Sequence, residues 1–568
     1  MIYIEGEEFR APKDVPYAEE LRQRGWVLRL NDHWFTLDVE NVIPFVEHLE
    51  PEIQQTIFAV NDAYEASKAV DTDFQVETPE GMQLEPFQRV DVKLILERDD
   101  ILLAEECGTG KTPIMIVALN MLRVRRALII CPAVAKYNWL LNEWPRWSIL
   151  NDRSIGVAEG SAWPDTDIVI INYDILDRHK KRIQNVTWDV LIADESHRAN
   201  NKDARRTTMI LGGLLRVRKH KNDPRTLADI ATTYCAEPTQ RKTHYTVPAI
   251  KAKKRIFATG TPFNRPKNLW AICEAFDPQG LGSNWDDFHR RYCQGHINQL
   301  NRWDIDGAAY REELGVRLRA KFMIRHDAEV VLKLPPQERH FYILPPVDFV
   351  LEAEDVFLRD NMDALIELGD MLGHPVDENS SREAFMKIVG EAIIENVVKL
   401  GDPKFSAMFT QFAAIRKQTG IAKLPHIIDY VKLKSDDGTI PTCVYGYHRD
   451  VMAGLKEAFP DSSYVIGGMT SVLRNQEVKR FQDGEVNLFL GNLDAAGENI
   501  TLTRANYMIV AELDWRGTQL KQVFMRIRRY TQKRASRVDI LCAAHSFDSL
   551  LAENAFTKIR NIDTTLDA

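Results

Sequence analysis

From residue 84 onward the chain alternates short apolar runs with stretches whose apolar residues recur every three or four positions. Ile101–Ala104, Ala127–Cys131, Ile168–Ile171, Val190–Ala193 and Ile256–Ala258 read as strands, each followed by a helical pattern. Strands alternating with helices predict a parallel α/β sheet. The same alternation begins again near 440, with Cys443–Tyr447, Tyr464–Ile466, Val486–Leu490, Tyr507–Val510 and Val538–Leu541. Between the two series, 275–330 and 348–400 are charged, helical in pattern and poor in strands. Leu332-Lys333-Leu334-Pro335-Pro336 separates them and reads as a connector, because proline stops a helix. Residues 1–75 form a separate pattern: a hairpin from Trp26–Leu30 and Trp34–Leu37, then helical spacing from Val42 to Ala66. The expected organisation is a small acidic α+β unit over 1–80 and a first α/β lobe over 81–275. Helical protrusions and a linker follow over 276–415, and a second α/β lobe over 416–568.

Composition narrows this reading. With 45% hydrophobic and 27% charged residues, the 568-residue chain has the mix of a globular protein. It has no apolar run of membrane-spanning length, and its first residues lack the basic and apolar regions of a secretory signal. The seven cysteines are scattered and form no C-x-x-C pair, which fits reduced thiols. A cytoplasmic location is therefore expected, without a membrane partner. The net charge of -9 argues against a polyanionic partner, but its distribution argues for one. Residues 1–100 hold 9 basic and 23 acidic residues; 213–255 hold 11 and 3, and 520–540 hold 7 and 1. An acidic head on a body with basic stripes admits a nucleic-acid partner.

Three motifs carry chemistry. Glu105-Glu106-Cys107-Gly108-Thr109-Gly110-Lys111-Thr112 follows a strand and opens a helix, the context of a phosphate loop. Lys111 would reach the β/γ-phosphates and the Thr112 hydroxyl would ligate Mg2+. Glu105 stands where the general pattern has its first glycine, and a plain Gly-rich turn would read similarly. Asp194-Glu195-Ser196-His197 ends a strand, so its carboxylates emerge at the mouth of the sheet. Asp194 would hold the metal through water, and Glu195 would orient or deprotonate the attacking water. A lone acidic pair is more often a charged turn; its company with the lysine loop reverses that preference. Arg526-Ile527-Arg528-Arg529 offers arginines for a phosphoryl-transfer transition state, against the plainer reading of a solvated basic helix.

The order of these pieces resembles the Swi/Snf family of DNA-translocating ATPases in helicase superfamily two. Leu84-Glu85-Pro86-Phe87-Gln88 looks like the family's adenine-reading Q motif, and its phosphate loop likewise starts with an acid. Ile129-Ile130-Cys131-Pro132, Ile171-Asn172-Tyr173-Asp174 and Thr259-Gly260-Thr261-Pro262 resemble the elements around its DESH box. Tyr447–Asp450, Ala496–Leu502 and Gln522–Gln532 resemble the motifs of the second lobe, with fewer glycines near Gly497 and with Arg528 at a usual histidine. Thr419–Pro425 further resembles the annealing-helicase subgroup.

The resemblance implies two tandem RecA-like lobes closing on ATP and Mg2+. Phe87, Gln88, Gly108, Thr109, Gly110, Lys111, Thr112 and Gly497 would bind nucleotide. Thr112 and Asp194 would bind Mg2+. Lys111, Asp194, Glu195, Arg526 and Arg529 would be catalytic, with Arg529 the first choice for the finger. Pro132, Thr259, Gly260, Thr261, Asn499 and Thr501 would face double-stranded or branched DNA. The implied activity is DNA translocation that remodels protein–DNA complexes or branched DNA without obligatory strand separation. Competing readings are a strand-separating helicase, or an ATP-gated switch attached to RNA polymerase or another partner. A compact chain of this kind suits a nucleoid or a phage-infected cell.

Two features fall outside the resemblance. The basic stretch 213–250 reads as an insertion that clamps DNA or recruits a protein partner, with Tyr234, His244 and Tyr245 available to stack; a flexible solvated loop reads equally well. The acidic head could shield the cleft or dock a protein partner. His289, Cys293 and His296 have near-zinc spacing but lack a fourth ligand.

Overall fold

The computed structural model describes residues 3–549 and 552, apart from 6–7, 24–26, 30–32, 37–42, 50, 218–225, 242, 264, 298–302, 306, 373, 395–402, 494–499, 515–516, 530 and 550–551. The first lobe is a seven-stranded sheet in the order Met323–Ile324, Asp100–Leu103, Ala252–Ala258, Trp188–Asp194, Ala127–Cys131, Ile168–Asn172 and Ile155–Val157. Every pairing in it is parallel. Its central strands are buried on both faces, which is why they read as continuous apolar runs. Alternate residues serve opposite layers: Leu128, Ile130, Leu191 and Phe257 pack on one face, and Ile129, Ile192, Ile256 and Ala258 on the other.

The second lobe is a six-stranded sheet in the order Gln337–Leu344, Ser536–Ala543, Tyr507–Val510, Thr442–Gly446, Leu488–Asn492 and Ser463–Val465, again all parallel. The expected fold class is therefore correct, and all ten strands read from the sequence are present. The region between them needs correction. Expected as protrusions and linker, 276–415 also gives Met323–Ile324 to the first sheet and Gln337–Leu344 to the second. Its helices Asp348–Asp360, Met362–Leu372, Arg382–Ile394 and Pro403–Ala422 share one apolar cluster, into which Phe547 of the second lobe inserts.

At the N-terminus, Tyr3–Glu5, Glu8–Pro12, His33–Thr36 and Val27–Arg29 form an antiparallel sheet, and the helix Pro51–Ala66 packs against the first-lobe helix Arg311–Lys321. The stretch 213–250 is folded where it is described. Gly213–Arg216, His244–Val247 and Glu237–Pro238 make a small antiparallel sheet beside the helix Leu227–Thr233. Leu215, Val217, Ile230, Tyr245 and Val247 are buried in the first lobe's own core. A flexible loop is excluded for these residues, and Tyr245 has no free face for stacking.

Candidate active site

The phosphate loop takes its shape from its glycines. Gly108 has φ +93° and Gly110 φ +86°, both in the left-handed region where a Cβ is penalised. Gly110 caps the helix Lys111–Met121, so the loop delivers the chain to that helix's N-terminus. The Lys111 ammonium donates to the Glu105 and Glu106 carbonyls at 2.8 and 2.9 Å. Thr109 is tied by its hydroxyl to the Glu106 carbonyl at 2.8 Å. Gln88 holds the loop from the side: its amide donates to the Thr109 carbonyl at 2.6 Å and accepts from the Glu85 N–H at 2.9 Å. Both ends of the Gln88 amide thus serve the backbone, and adenine would have to displace one of them. Phe87 is buried, edge-on to His326. The Glu105 side chain does not crowd the loop; His326 engages it at 2.8 Å.

The strand Trp188–Asp194 delivers the two acids. The Trp139 indole N–H donates to Asp194 Oδ2 at 2.9 Å, and the Tyr173 hydroxyl donates to the Asp194 carbonyl at 2.8 Å. Glu195 follows at φ 54° in the left-handed region, a strained turn that separates the two carboxylates. Burial and the neighbouring Glu195 charge push Asp194 above the usual carboxylate range. Burial works the same way on Glu195, but His197 at 3.3 Å, with the Lys111 and Arg526 charges, holds it below that range. The pair is split into one acid that seeks a cation and one that stays ionised. His197 Nδ1 also lies 3.1 Å from the Thr259 hydroxyl.

The second lobe closes the site. Arg529 lies over the loop: its Cγ would be 3.3 Å from a Cβ placed on Gly108. Its guanidinium donates to the Thr501 hydroxyl at 2.7 Å, while burial and the adjacent Arg526 lower its pKa. Arg526 donates to the Ile500 carbonyl at 3.3 Å. The lysine of the front half and the arginines of the back half therefore share one cleft.

Three residues of this closure went unassigned from sequence. Lys521 pairs with Glu106 at 2.6 Å, and Gln522 donates to the Thr261 hydroxyl at 3.1 Å. Arg325 contacts the same Glu106 at 3.2 Å. Burial alone would raise Glu106, but Lys521 and Arg325 outweigh it and lower its pKa. Gln522 opens the second-lobe arginine motif, and Arg325 ends Phe322-Met323-Ile324-Arg325, which with Leu334-Pro335-Pro336 resembles the family's inter-lobe region, but neither had a role assigned; Lys521 carries no local signal.

Other expectations change. Pro132, Thr259, Gly260 and Thr261 are all buried in this conformation, so they present no surface to DNA. A Cβ on Gly260 would lie 2.5 Å from Cys107 Sγ and 3.3 Å from Lys111 Nζ, which places this segment beneath the phosphate loop. Thr501 faces Arg529. Gly497 and Asn499 lie outside the described residues. The first part of the basic run 520–540 is not a solvated stripe: Arg526 and Arg528 are buried, and Lys521 and Arg529 face the other lobe, whereas Lys533 and Arg534 are exposed. Among the described residues, His289, Cys293 and His296 gather no metal-competent cluster.

A nucleoside triphosphate with Mg2+ fits these residues. The loop bares its backbone N–H groups at two glycines, and Asp194 is a buried carboxylate with a neutral indole donor beside a second acid. Thr112, in the first turn of the helix Lys111–Met121, is the second candidate ligand.

Comparison with known proteins agrees. A SNF2-related domain matches residues 87–220, and a helicase conserved C-terminal domain matches 424–531. The DNA annealing helicase and endonuclease ZRANB3 of Mus musculus is 26% identical over 501 residues, covering 83% of this chain and 39% of that protein. The SWI/SNF-related matrix-associated actin-dependent regulator of chromatin subfamily A-like protein 1 of Drosophila melanogaster is 24% identical over 490 residues, covering 83% and 54%. This chain thus spans well under two thirds of the length of either relative. The Sulfolobus solfataricus SWI2/SNF2 ATPase core in complex with dsDNA aligns with 87% of this chain and 99% of that chain at 16% identity, with a TM-score of 0.35, too low to bear on the fold. No described helix is long and apolar enough to cross a membrane.

Proposed function

Because the chain belongs to the Swi/Snf family of superfamily-two ATPases, we propose that it is a DNA-dependent ATPase that translocates on double-stranded DNA and remodels branched DNA or protein–DNA complexes. The observation that carries this reading is the juxtaposition of the Lys111 loop with Arg529 across the two lobes. Bound Mg2+–ATP supplies the scissile phosphoanhydride and neutralises part of its charge. Lys111 releases the Glu105 and Glu106 carbonyls to reach the phosphates. Thr112 and Asp194 would hold the metal. Glu195, kept ionised by His197, orients the attacking water and accepts its proton. Arg529, with Arg526 behind it, meets the charge that spreads over the transferred phosphoryl group.

Because the arginines belong to the second lobe, turnover requires closure, and each cycle moves one lobe against the other. That is the stroke a translocase needs, and contacts to phosphates rather than bases let it repeat on any sequence. The annealing named for the mouse relative supports a reading in which strands are rejoined rather than separated. A protein partner at the N-terminal unit or the 213–250 sheet is compatible with this activity.

The test is ATP turnover by the purified chain with duplex, single-stranded and branched DNA side by side, together with triplex displacement. Stimulation by duplex or branched DNA and displacement of the third strand are expected, and Lys111→Ala should abolish both while the chain stays folded. Normal DNA-stimulated turnover by folded Lys111→Ala would refute the site. Forked-duplex unwinding without triplex displacement would favour a strand-separating helicase.

A further inference from the structure

Beneath the phosphate loop lies a second cluster of ionisable groups that ATP hydrolysis does not use. Asp91 comes from the helix Pro86–Glu97, Glu105 from the start of the loop, and His326 from just beyond the edge strand Met323–Ile324. Asp91 and Glu105 are 0% exposed and His326 4%. Their ligand-type atoms all lie within 4.8 Å of one another. His326 Nδ1 stands 2.8 Å from Glu105 Oε1 and 3.5 Å from Asp91 Oδ1. Both oxygens of Asp91 and Oε2 of Glu105 are buried without a hydrogen-bond partner. Orphaned buried carboxylate oxygens are costly, and three in one pocket call for an occupant.

The imidazole is oriented for one. Its Nε2 lies 2.9 Å from the Ala69 carbonyl, which accepts only if Nε2 carries the proton. Nδ1 then turns toward both carboxylates, and anchoring the far nitrogen on a carbonyl is how metal-ligating histidines are held. The spacing fits as well. Ligands bonded at about 2.0–2.2 Å stand about 2.8 Å apart at right angles and about 3.6 Å apart at wide tetrahedral angles. The observed 2.8 and 3.5 Å fall within that range. Two carboxylates, one neutral imidazole and a divalent ion sum to zero charge.

We propose that Asp91, Glu105 and His326 bind a first-row divalent cation, with zinc the best match to one nitrogen and two carboxylate ligands. The second oxygen of Asp91, otherwise unpartnered, completes the coordination. Protons could also neutralise the pocket. Burial and Glu105 raise Asp91 well above the carboxylate range; burial lowers His326, but Glu105, Asp91 and the Ala69 carbonyl together raise it. A shared proton, however, does not provide partners for three oxygens. The ion acts structurally: it fastens the helix Pro86–Glu97, the entry to the phosphate loop and the exit of the first sheet at one point. It is separate from the Mg2+ that Asp194 would hold, and it stands whether or not the chain moves on DNA.

The test measures metal in the intact chain. Protein made in zinc-supplemented medium should carry one zinc per chain, and chain stripped by a chelator should unfold at lower temperature and recover with Zn2+. Zinc-edge X-ray absorption should show nitrogen and oxygen neighbours at about 2.0–2.2 Å and no sulfur at about 2.3 Å. Asp91→Asn and His326→Gln should lose the metal. If these variants fail to fold, the absorption spectrum of the wild type decides. Folded wild type that takes up no zinc, zinc with sulfur neighbours, or full zinc in folded Asp91→Asn would each overturn the assignment.

Discussion

Closure of the lobes should depend measurably on the ion pair between Lys521 and Glu106. The pair is 2.6 Å long, and the two side chains are 21% and 9% exposed. That is too covered for a surface pair worth about 0–1 kcal/mol, yet open enough that desolvation does not cancel the attraction. A hydrogen bond between charged groups in such a setting contributes about 1.5–3 kcal/mol. At 1.36 kcal/mol per tenfold change, losing it should shift the closed-to-open ratio by about ten- to a hundredfold. Arg325 and the Ala328 N–H still hold Glu106 in Lys521→Met, so the first lobe itself should stay folded. The assay is energy transfer between one dye on each lobe, read with nucleotide and with rising salt, in wild type, Lys521→Met, Glu106→Gln and the double variant. Lys521→Met should lower the closed fraction and DNA-stimulated turnover together, and the cycle should return at least 1 kcal/mol of coupling. Coupling below about 0.5 kcal/mol, with an unchanged closed fraction, would refute the claim that this pair holds the lobes together.

Three further outcomes follow from the same geometry. Gly108→Ala puts a Cβ at φ +93° and 3.3 Å from Arg529 Cγ; the left-handed strain is about 1–2 kcal/mol, so thermal unfolding should shift by a few degrees while turnover falls tenfold or more, and unchanged turnover would contradict the placement of Arg529. Deleting 213–247 removes Leu215, Val217, Ile230, Ala231, Tyr245 and Val247 from the first-lobe core; at about 1.5–3 kcal/mol each the loss is on the order of 10 kcal/mol, so the deletion should abolish cooperative unfolding, and a wild-type melting curve would show that the sheet is dispensable. Lys180, buried against the Met209 and Pro248 carbonyls, has its pKa lowered by burial to about 8. Between pH 8 and its unfolded value of 10.5 the unfolded chain holds more protons, so stability should rise with pH there, by on the order of 3 kcal/mol. Denaturant unfolding of Lys180→Met at pH 7.5 and 10 should lack that rise, and equal slopes in the two proteins would count against it.

What the sequence disclosed follows the range of the physics involved. Central strands such as Ala127–Cys131 were legible because burial on both faces leaves an uninterrupted apolar run. Gln337–Leu344 was not: at the sheet edge it keeps Glu338, Arg339, Phe341 and Ile343 exposed, and its mixed pattern resembles a loop. Met323–Ile324 is too short to show any period. The phosphate loop and the acid pair were legible because neighbouring residues build them, so spacing alone carries their geometry. His326, Lys521 and Arg325 act on Glu105 and Glu106 from more than two hundred positions away, and no local pattern can announce such a pairing.

The arginine motif shows where charge alone misleads. A run such as 520–540 reads as a solvated face, since charged side chains are seldom buried without partners. The rule fails where a second surface closes over the run and supplies those partners. Here Glu106 of the first lobe takes Lys521 and the Pro335 carbonyl of the connector takes Arg528, while the Ile500 carbonyl and the Thr501 hydroxyl of the second lobe itself take Arg526 and Arg529. Arg529 holds its charge at a cost that burial and Arg526 both raise. A guanidinium kept charged against those two effects is destabilised until an anion arrives. Glu143 and Glu195 offset part of that cost, and a triphosphate entering between the lobes would offset the rest, so nucleotide binding is expected to favour closure.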